Sequence, residues 1–308
     1  MKEDIAVTCV VYSYNSSATI IETLESIKAQ SYQNIKLIVS DDCSTDNTVE
    51  VCRKWMEENK GRFISTRLLT VKENTGISGN ANRGWDACDT EWLKSIAGDD
   101  LLLPNCIKDN MEYVKNHPDA IFVFSKIETF GSTAAHRKRH KTKVIDYSFF
   151  EMSPKEQFER IKYGSCLPTA TGFYNIMKIR ELGIRHDERI PLLEDRPMWI
   201  NVIRKGIKFH FFDKVTVLYR LSDKSLSNTS LLSPRFYEST RLAFFYYIFQ
   251  EMYENNPESA IREAVRLEVE QYQRYVKIKK QRDKYLRLSP YLLVAIFRRI
   301  YKKISSSI

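Results

Sequence analysis

The 308 residues predict an α/β fold, a mostly parallel sheet flanked by helices, with a helical extension at the C-terminus. Three observations carry that expectation. Over residues 5–100, apolar β-rich runs alternate with helical periodicities, and this pitch makes a parallel sheet with right-handed crossovers. Each apolar run ends in a polar cluster, at 13–15, 41–42, 74–76 and 99–100. Beyond about residue 230 the alternation gives way to aromatic-rich helical patterns.

Residues 5–12 are apolar along nearly their whole length, which suits a central strand covered on both faces. A polar break at 13–17 leads into a helix over 18–30, where Ile20, Ile21, Leu24 and Ile27 fall at helical spacing. A second strand over 35–40 runs into Asp41-Asp42-Cys43-Ser44-Thr45-Asp46-Asn47-Thr48, and a helix follows over 49–59 with Thr45 or Asp46 near its N-cap. A third strand over 67–71, a loop over 73–79 and a helix over 80–88 lead to the run that breaks at Gly98-Asp99-Asp100. Polar clusters at successive strand ends converge on one edge of such a sheet, where open α/β folds bind ligands. Singly, these residues also serve to cap helices and shape turns. The phosphate-binding glycine motifs GxGxxG and GxxxxGK[ST] do not occur.

Composition excludes disorder: 43% of residues are hydrophobic and 28% charged. The formal charge of +9 resides entirely in residues 261–308, which hold 13 Lys/Arg against 4 Asp/Glu. Six cysteines, at 9, 43, 52, 88, 106 and 166, show no metal-binding spacing, and Cys9 in an apolar strand suits a reduced thiol. The N-terminus passes from charges straight into a strand, without a signal-peptide pattern, and no run reaches the roughly 18 apolar residues of a membrane span. The expected location is cytoplasmic. Residues 290–308 couple Tyr291, Leu292, Leu293, Val294, Ile296 and Phe297 to Arg298, Arg299, Lys302 and Lys303, suiting a helix laid on the inner face of an anionic membrane. A terminal helix with a solvated basic face is the plainer alternative.

Two acidic pairs carry the chemistry. Asp99-Asp100 at a strand end can offer hard oxygen ligands to Mg²⁺ or Mn²⁺. Glu194-Asp195 stands before Pro197, in the first turn of a helix, where the helix dipole favours negative charge. Together with their surroundings they form a pattern. Val11-Tyr12-Ser13-Tyr14-Asn15, the segment 39–48, Glu73-Asn74-Thr75-Gly76 with Ala81-Asn82-Arg83-Gly84, and Gly98-Asp99-Asp100 with Pro104 resemble the nucleotide-binding half of family 2 inverting glycosyltransferases. Leu182-Gly183, Asp187-Glu188, residues 193–199 and Gly206 resemble that family's acceptor-side signature.

The resemblance covers residues 5–228 and implies the Rossmann-like GT-A fold over 1–228, with a nucleotide-binding half at 1–104, an acceptor half at 105–228 and a basic extension at 229–308. It implies a nucleotide-sugar donor, a UDP-sugar first, bound through Ser13, Tyr14, Asp42, Asn82 and Asp99. Tyr14 would pack on the base and Asp42 would accept a hydrogen bond from it. Asp99 and Asp100 match the carboxylates for metal and diphosphate; many members are acidic where this chain has Ala97, which leaves both Asp99 and Asp100 as candidates for the metal ligand. Asp195 matches the catalytic base, with Glu194 beside it. The implied acceptor is a glycan or lipid-linked glycan in bacterial surface-polysaccharide assembly. Many relatives carry a histidine near Ser222 or Asp223, which this chain lacks; Arg220 or Lys224 offers positive charge there instead. The basic segment 131–143, with His136 and His140, reads as a loop near the acceptor side. Two other readings remain: a sugar-nucleotide binding protein without turnover, and a nucleic-acid binder acting through the basic tail. The second leaves the acidic strand ends without a purpose, so no nucleic-acid partner is expected.

Overall fold

A computed structural model describes residues 5–131, 146–162, 167–221 and 234–279. By its contacts the chain separates into two compact units, Met1–Asn228 and Thr229–Ile308.

In the first unit the central strand is β1 (Val7–Ser13), buried at every position except Tyr12. It pairs in parallel with β2 (Ile35–Asp41) on one side and β4 (Trp92–Ala97) on the other, and β3 (Ser65–Leu69) adds a parallel edge beyond β2. Because both faces of β1 are covered, its sequence reads as an unbroken apolar run rather than an alternation. Helix α1 (Ile20–Lys28) turns Ile20, Thr23, Leu24 and Ile27 inward, and α2 (Thr48–Asn59) does the same with Thr48, Cys52, Trp55 and Met56. These stripes at i, i+3/i+4, i+7 meet β1 and β2 in one continuous core.

Helix α3 (Gly76–Ala87) begins four residues earlier than the sequence pattern predicts. Its first half, Gly76-Ile77-Ser78-Gly79-Asn80, is poor in helix formers, so propensity argues for a loop. Tertiary structure overrides this. Eight of its residues are buried, and a Cβ at Gly84 would fall 2.6 Å from the Val10 side chain and 2.7 Å from the Tyr12 ring, so glycine lets the helix lie against β1. The start of the helix is capped from β2, as the site geometry below shows.

The sheet continues beyond residue 100 to give the order β3-β2-β1-β4-β7-β6-β8-β5, with β5 at Leu101–Leu102, β6 at Phe122–Gly131, β7 at Phe173–Asn175 and β8 at Phe209–Leu221. Here it becomes mixed: β7 runs antiparallel to β4 and β6, β5 runs antiparallel to β8, and β6 and β8 are parallel. Helices α4 (Cys106–Asn116), α5 (Pro154–Ile161), α6 (Ile176–Glu181) and α7 (Asp195–Arg204) accompany it. Ser153 and Glu156 form a reciprocal capping box at the start of α5. Trp199 of α7 is fully buried among the edges of Phe122, Phe124 and Phe209. This aromatic packing fixes α7, and with it the acidic pair at its start.

The second unit contains α8 (Pro234–Tyr247), α9 (Phe249–Asn255) and α10 (Pro257–Lys279). Arg241 of α8 holds Glu238 at 2.7 Å and Glu268 of α10 at 3.4 Å. No helix among the described residues is long and apolar enough to cross a membrane. The segment 132–143, the positions of Ser222, Asp223 and Lys224, and the tail 290–308 lie outside the described residues.

Candidate active site

The parallel registers Ser13↔Asp41 and Tyr12↔Ala97 bring the C-terminal ends of β1, β2 and β4 to one edge. The loops leaving that edge are tied to each other. Asn15 sits at φ 51° and Cys43 at φ 65°, left-handed conformations that cost an ordinary residue roughly 1 kcal/mol or more. Cross-bonds hold them there. The Asn15 N–H donates to Ser44 Oγ at 2.8 Å, and Asn15 Oδ1 accepts from the Thr45 N–H at 2.8 Å. Ser13 Oγ donates to Asp41 Oδ2 at 2.9 Å, and Asp41 Oδ1 accepts the Ser44 N–H at 2.8 Å. The result is a preformed lip on which the Tyr14 side chain is left half exposed.

Asp42 is buried, and its carboxylate is used within the protein. Oδ1 accepts the Thr75 N–H at 3.0 Å and the Thr75 hydroxyl at 2.6 Å, Oδ2 accepts the Gly76 N–H at 2.8 Å, and Arg83 closes on Oδ1 at 3.1 Å. Asp42 thus caps α3 from a neighbouring strand, satisfying free N–H groups where the dipole favours an anion. Asn82 is likewise engaged: its amide donates to His186 O at 3.0 Å and Glu188 Oε1 at 2.8 Å, and its oxygen accepts the His186 N–H at 3.1 Å. It stitches α3 to the segment that leads into α7. Of the five residues that the sequence assigned to the nucleotide, Ser13, Asp42 and Asn82 build the site's frame here, while Tyr14 and Asp99 present open groups.

Asp99 and Asp100 follow β4 on a turn whose Gly98 N–H bonds Tyr12 O at 2.9 Å. Asp100 is 1% exposed and its Oδ1 accepts the Arg220 N–H at 2.8 Å, whereas Asp99 is only partly buried. Burial, helped by the Asp99 charge, pushes Asp100 up to about 7, and burial raises Asp99 as well. The pair is therefore short of positive charge. Arg220 does not supply it directly: its Nε donates to Asp99 O at 2.7 Å and its Nη2 to Glu22 Oε2 at 2.7 Å, with the guanidinium over the Phe130 ring. Among the described residues no three His, Cys, Asp or Glu side chains gather as a closed metal cage. Two adjacent, under-neutralised carboxylates fit Mg²⁺ or Mn²⁺, which take hard oxygen ligands and keep places for water and a diphosphate.

The second pair lies at the start of α7. Asp195 is the first helical residue; its Oδ1 accepts the Arg196 N–H at 2.6 Å and its Oδ2 lies 3.4 Å from the Thr169 hydroxyl. Burial and the adjacent Asp195 charge raise Glu194, which is the member driven toward its neutral form. His186 packs against Trp85 and places Nδ1 3.2 Å from the Glu194 carbonyl, which can only accept, so Nδ1 carries the proton. Burial pulls His186 down to about 4.

This makes a stability prediction. The unfolded chain takes up a proton on His186 below its ordinary 6.5 while the folded one does not until about 4, so stability is lost as pH falls through that window. The loss is on the order of 3 kcal/mol for a shift of this size. Glu194 works in the opposite sense, its contribution declining as pH rises. Chemical denaturation of wild type and His186→Gln between pH 7 and 4 isolates the histidine: wild type should lose more, and parallel curves would refute the assignment.

Sequence reasoning missed Lys94, Thr169 and His186. Lysine inside the otherwise strand-like Trp92-Leu93-Lys94-Ser95-Ile96 was the one visible signal among them.

Residues 8–178, more than half of the chain, match the profile described as Glycosyl transferase family 2. The chain belongs to that family. As a family 2 glycosyltransferase it is 25% identical over 225 residues to the UDP-Glc:alpha-D-GlcNAc-diphosphoundecaprenol beta-1,3-glucosyltransferase WfaP of Escherichia coli, covering 72% of this chain and 79% of WfaP. Among solved structures, S. aureus TarS 1–349 in complex with UDP-GlcNAc superposes with a TM-score of 0.61 at 18% identity, covering 92% of this chain and 76% of that 1–349 chain. The mannosyltransferase PcManGT of Pyrobaculum calidifontis, in complex with GDP-Man and Mn²⁺, gives 0.53 at 14% identity, covering 96% of this chain and 80% of that one. These likenesses establish that the enzyme's sheet and flanking helices form the GT-A fold.

Proposed function

We propose that this glycosyltransferase is metal-dependent and inverting, transferring a sugar from a UDP-sugar to a glycan or lipid-linked glycan in cell-surface polysaccharide synthesis. The observation that carries the reading is the presence of two acidic pairs in different elements, one at the end of β4 and one at the start of α7. Inverting transfer needs this division. The acceptor hydroxyl attacks the anomeric carbon from the side opposite the departing diphosphate, so proton removal and leaving-group stabilisation occur at separate places.

The nucleotide base would stack on the exposed ring of Tyr14, above the lip that Asn15, Ser44 and Thr45 preform. Asp99, the more accessible carboxylate, would hold the cation, with Asp100 buried behind it and fixed by the Arg220 N–H. A bound Mg²⁺ or Mn²⁺ would offset the charge that grows on the diphosphate. Asp195 would accept the acceptor's proton, and Glu194 would shape the field beside it. WfaP names UDP-Glc and a diphosphoundecaprenol-linked GlcNAc, which supports a UDP-sugar and a lipid-linked acceptor. PcManGT with Mn²⁺ supports the metal.

A thermal-shift screen of UDP, GDP, TDP and CMP, each with and without Mn²⁺, tests this reading. A ligand that binds only the folded chain at 100 times its Kd stabilises it by about 2.7 kcal/mol. UDP should raise Tm in an Mn²⁺-dependent manner; indifference to every nucleotide would remove the reading.

A further inference from the structure

Lys94 is fully buried, in the third position of β4, and no step described so far uses it. A buried lysine normally finds a carboxylate partner. This one finds carbonyls: its Nζ donates to Ser95 O at 2.8 Å, Ala170 O at 2.7 Å and Gly172 O at 3.2 Å. The number matters. An ammonium has three donors and no acceptor, whereas a neutral amine would turn a lone pair toward one of the three oxygens. The cage is built for the charged form, and bonds to a charged donor are the strong ones.

Two of the three carbonyls belong to the turn Thr169–Thr171 and to Gly172, which precede β7. Since Lys94 pairs with Phe173 across the antiparallel β4–β7 ladder, that turn continues alongside the end of β4, toward Asp99. The turn is held from β6 as well, where the Ser125 N–H donates to Thr171 Oγ1 at 3.1 Å, while the Lys94 bonds at Ala170 and Gly172 tie it to β4. A second constraint comes from Gly172, where a Cβ would lie 1.8 Å from the Tyr174 hydroxyl, so the backbone there is pressed against a buried ring. At the turn's outer end stands Thr169, whose hydroxyl reaches Asp195 Oδ2.

We infer that Lys94 is a positioning residue: its ammonium locks the 169–172 turn onto β4, and through Thr169 sets the Asp195 carboxylate in register with the donor held at the end of the same strand. This rests on Asp195 being the base. The inference explains why a charge is kept in the core at that point: it joins the strand that carries the donor carboxylates to the turn that touches the base, which no apolar side chain can do.

The test is UDP release from UDP-glucose at saturating Mn²⁺, with water in the acceptor's place, alongside calorimetric titration of UDP with Mn²⁺ to count competent sites. Lys94→Met should lower kcat roughly 10- to 100-fold, with UDP stoichiometry and affinity within about twofold of wild type, in line with the loss of an outer support. Lys94→Gln, which keeps two of the three donors, should fall between them and is read in its place if the Met variant does not fold. Thr169→Val should lower kcat in the same direction with unchanged Tm and shift the acidic limb of the pH–rate profile upward, since a donor to the carboxylate is removed. Glu194, Arg196, His186 and Tyr174, which also face Asp195, are intact in all these variants. The double variant Lys94→Met with Thr169→Val should be no slower than the slower single one. Wild-type kcat in the Lys94 variants, or an unmoved pH limb in Thr169→Val, overturns the inference. Retained UDP release in Asp195→Asn would instead overturn the reading beneath it.

Discussion

Asp195→Asn is expected to lower kcat for sugar transfer by roughly 10²- to 10⁴-fold, the usual worth of a positioned general base. The fold should be indifferent to the change. Asn keeps an oxygen in the Oδ1 place to accept the Arg196 N–H, and its NH2 in the Oδ2 place can donate to the Thr169 hydroxyl oxygen, so the start of α7 keeps its contacts while losing the group that takes a proton. Binding of UDP and Mn²⁺ should also be unaffected, because these belong to the β4 end of the site. The expected signature is therefore a variant with normal Tm, normal nucleotide binding and almost no transfer. Transfer within threefold of wild type would mean that the base lies elsewhere, with Glu194 the first alternative. Glu194→Gln gives the internal comparison: burial already drives this residue toward its neutral form, so removing its charge should cost less.

Asp99→Asn has the complementary signature. Removing the accessible carboxylate should weaken Mn²⁺ binding by at least about 10- to 100-fold, the cost reported for losing even an outer partner of a bound metal. Electron paramagnetic titration of Mn²⁺ measures this without any acceptor. The Mn²⁺-dependent part of the UDP thermal shift should vanish with it, while any stacking of the base on Tyr14 persists as a small metal-independent shift. Mn²⁺ affinity equal to wild type in Asp99→Asn would transfer the ligand role to Asp100, despite its burial and its bond to the Arg220 N–H.

The acidic pairs were legible in the sequence because strand ends and helix starts are local signals: Asp99-Asp100 follows an apolar run, and Glu194-Asp195 stands just before Pro197. β1 and β2 announce themselves as apolar runs, and the residues after each run must lie at the edge of the sheet. What could not be read was how those polar residues divide their work. Asp42 and Tyr14 look equally suited to a nucleotide, yet Asp42 meets the free N–H groups of Thr75 and Gly76 while Tyr14 meets solvent. The difference arises from the approach of α3 to β2, a contact between segments more than thirty residues apart. Helix α3 itself shows the same limit: Gly76 and Gly79 speak against a helix locally, and only its burial against β1 and the cap from Asp42 make one.

The sequence by itself determined the alternation of strands and helices, the sheet edge where the polar clusters gather, and the identity of both acidic pairs, because each depends on periodicity or on neighbours in the chain. Tertiary structure alone decided which polar groups stay open and which are consumed, and it decided the place of Lys94. A lysine in a strand-like run carries no mark of its partners; the Ala170 and Gly172 carbonyls that hold it lie more than seventy residues away, brought there by the antiparallel pairing of β4 with β7. Hydrogen bonds of that kind depend on where backbones meet in space, and a linear pattern of residue types does not encode that meeting.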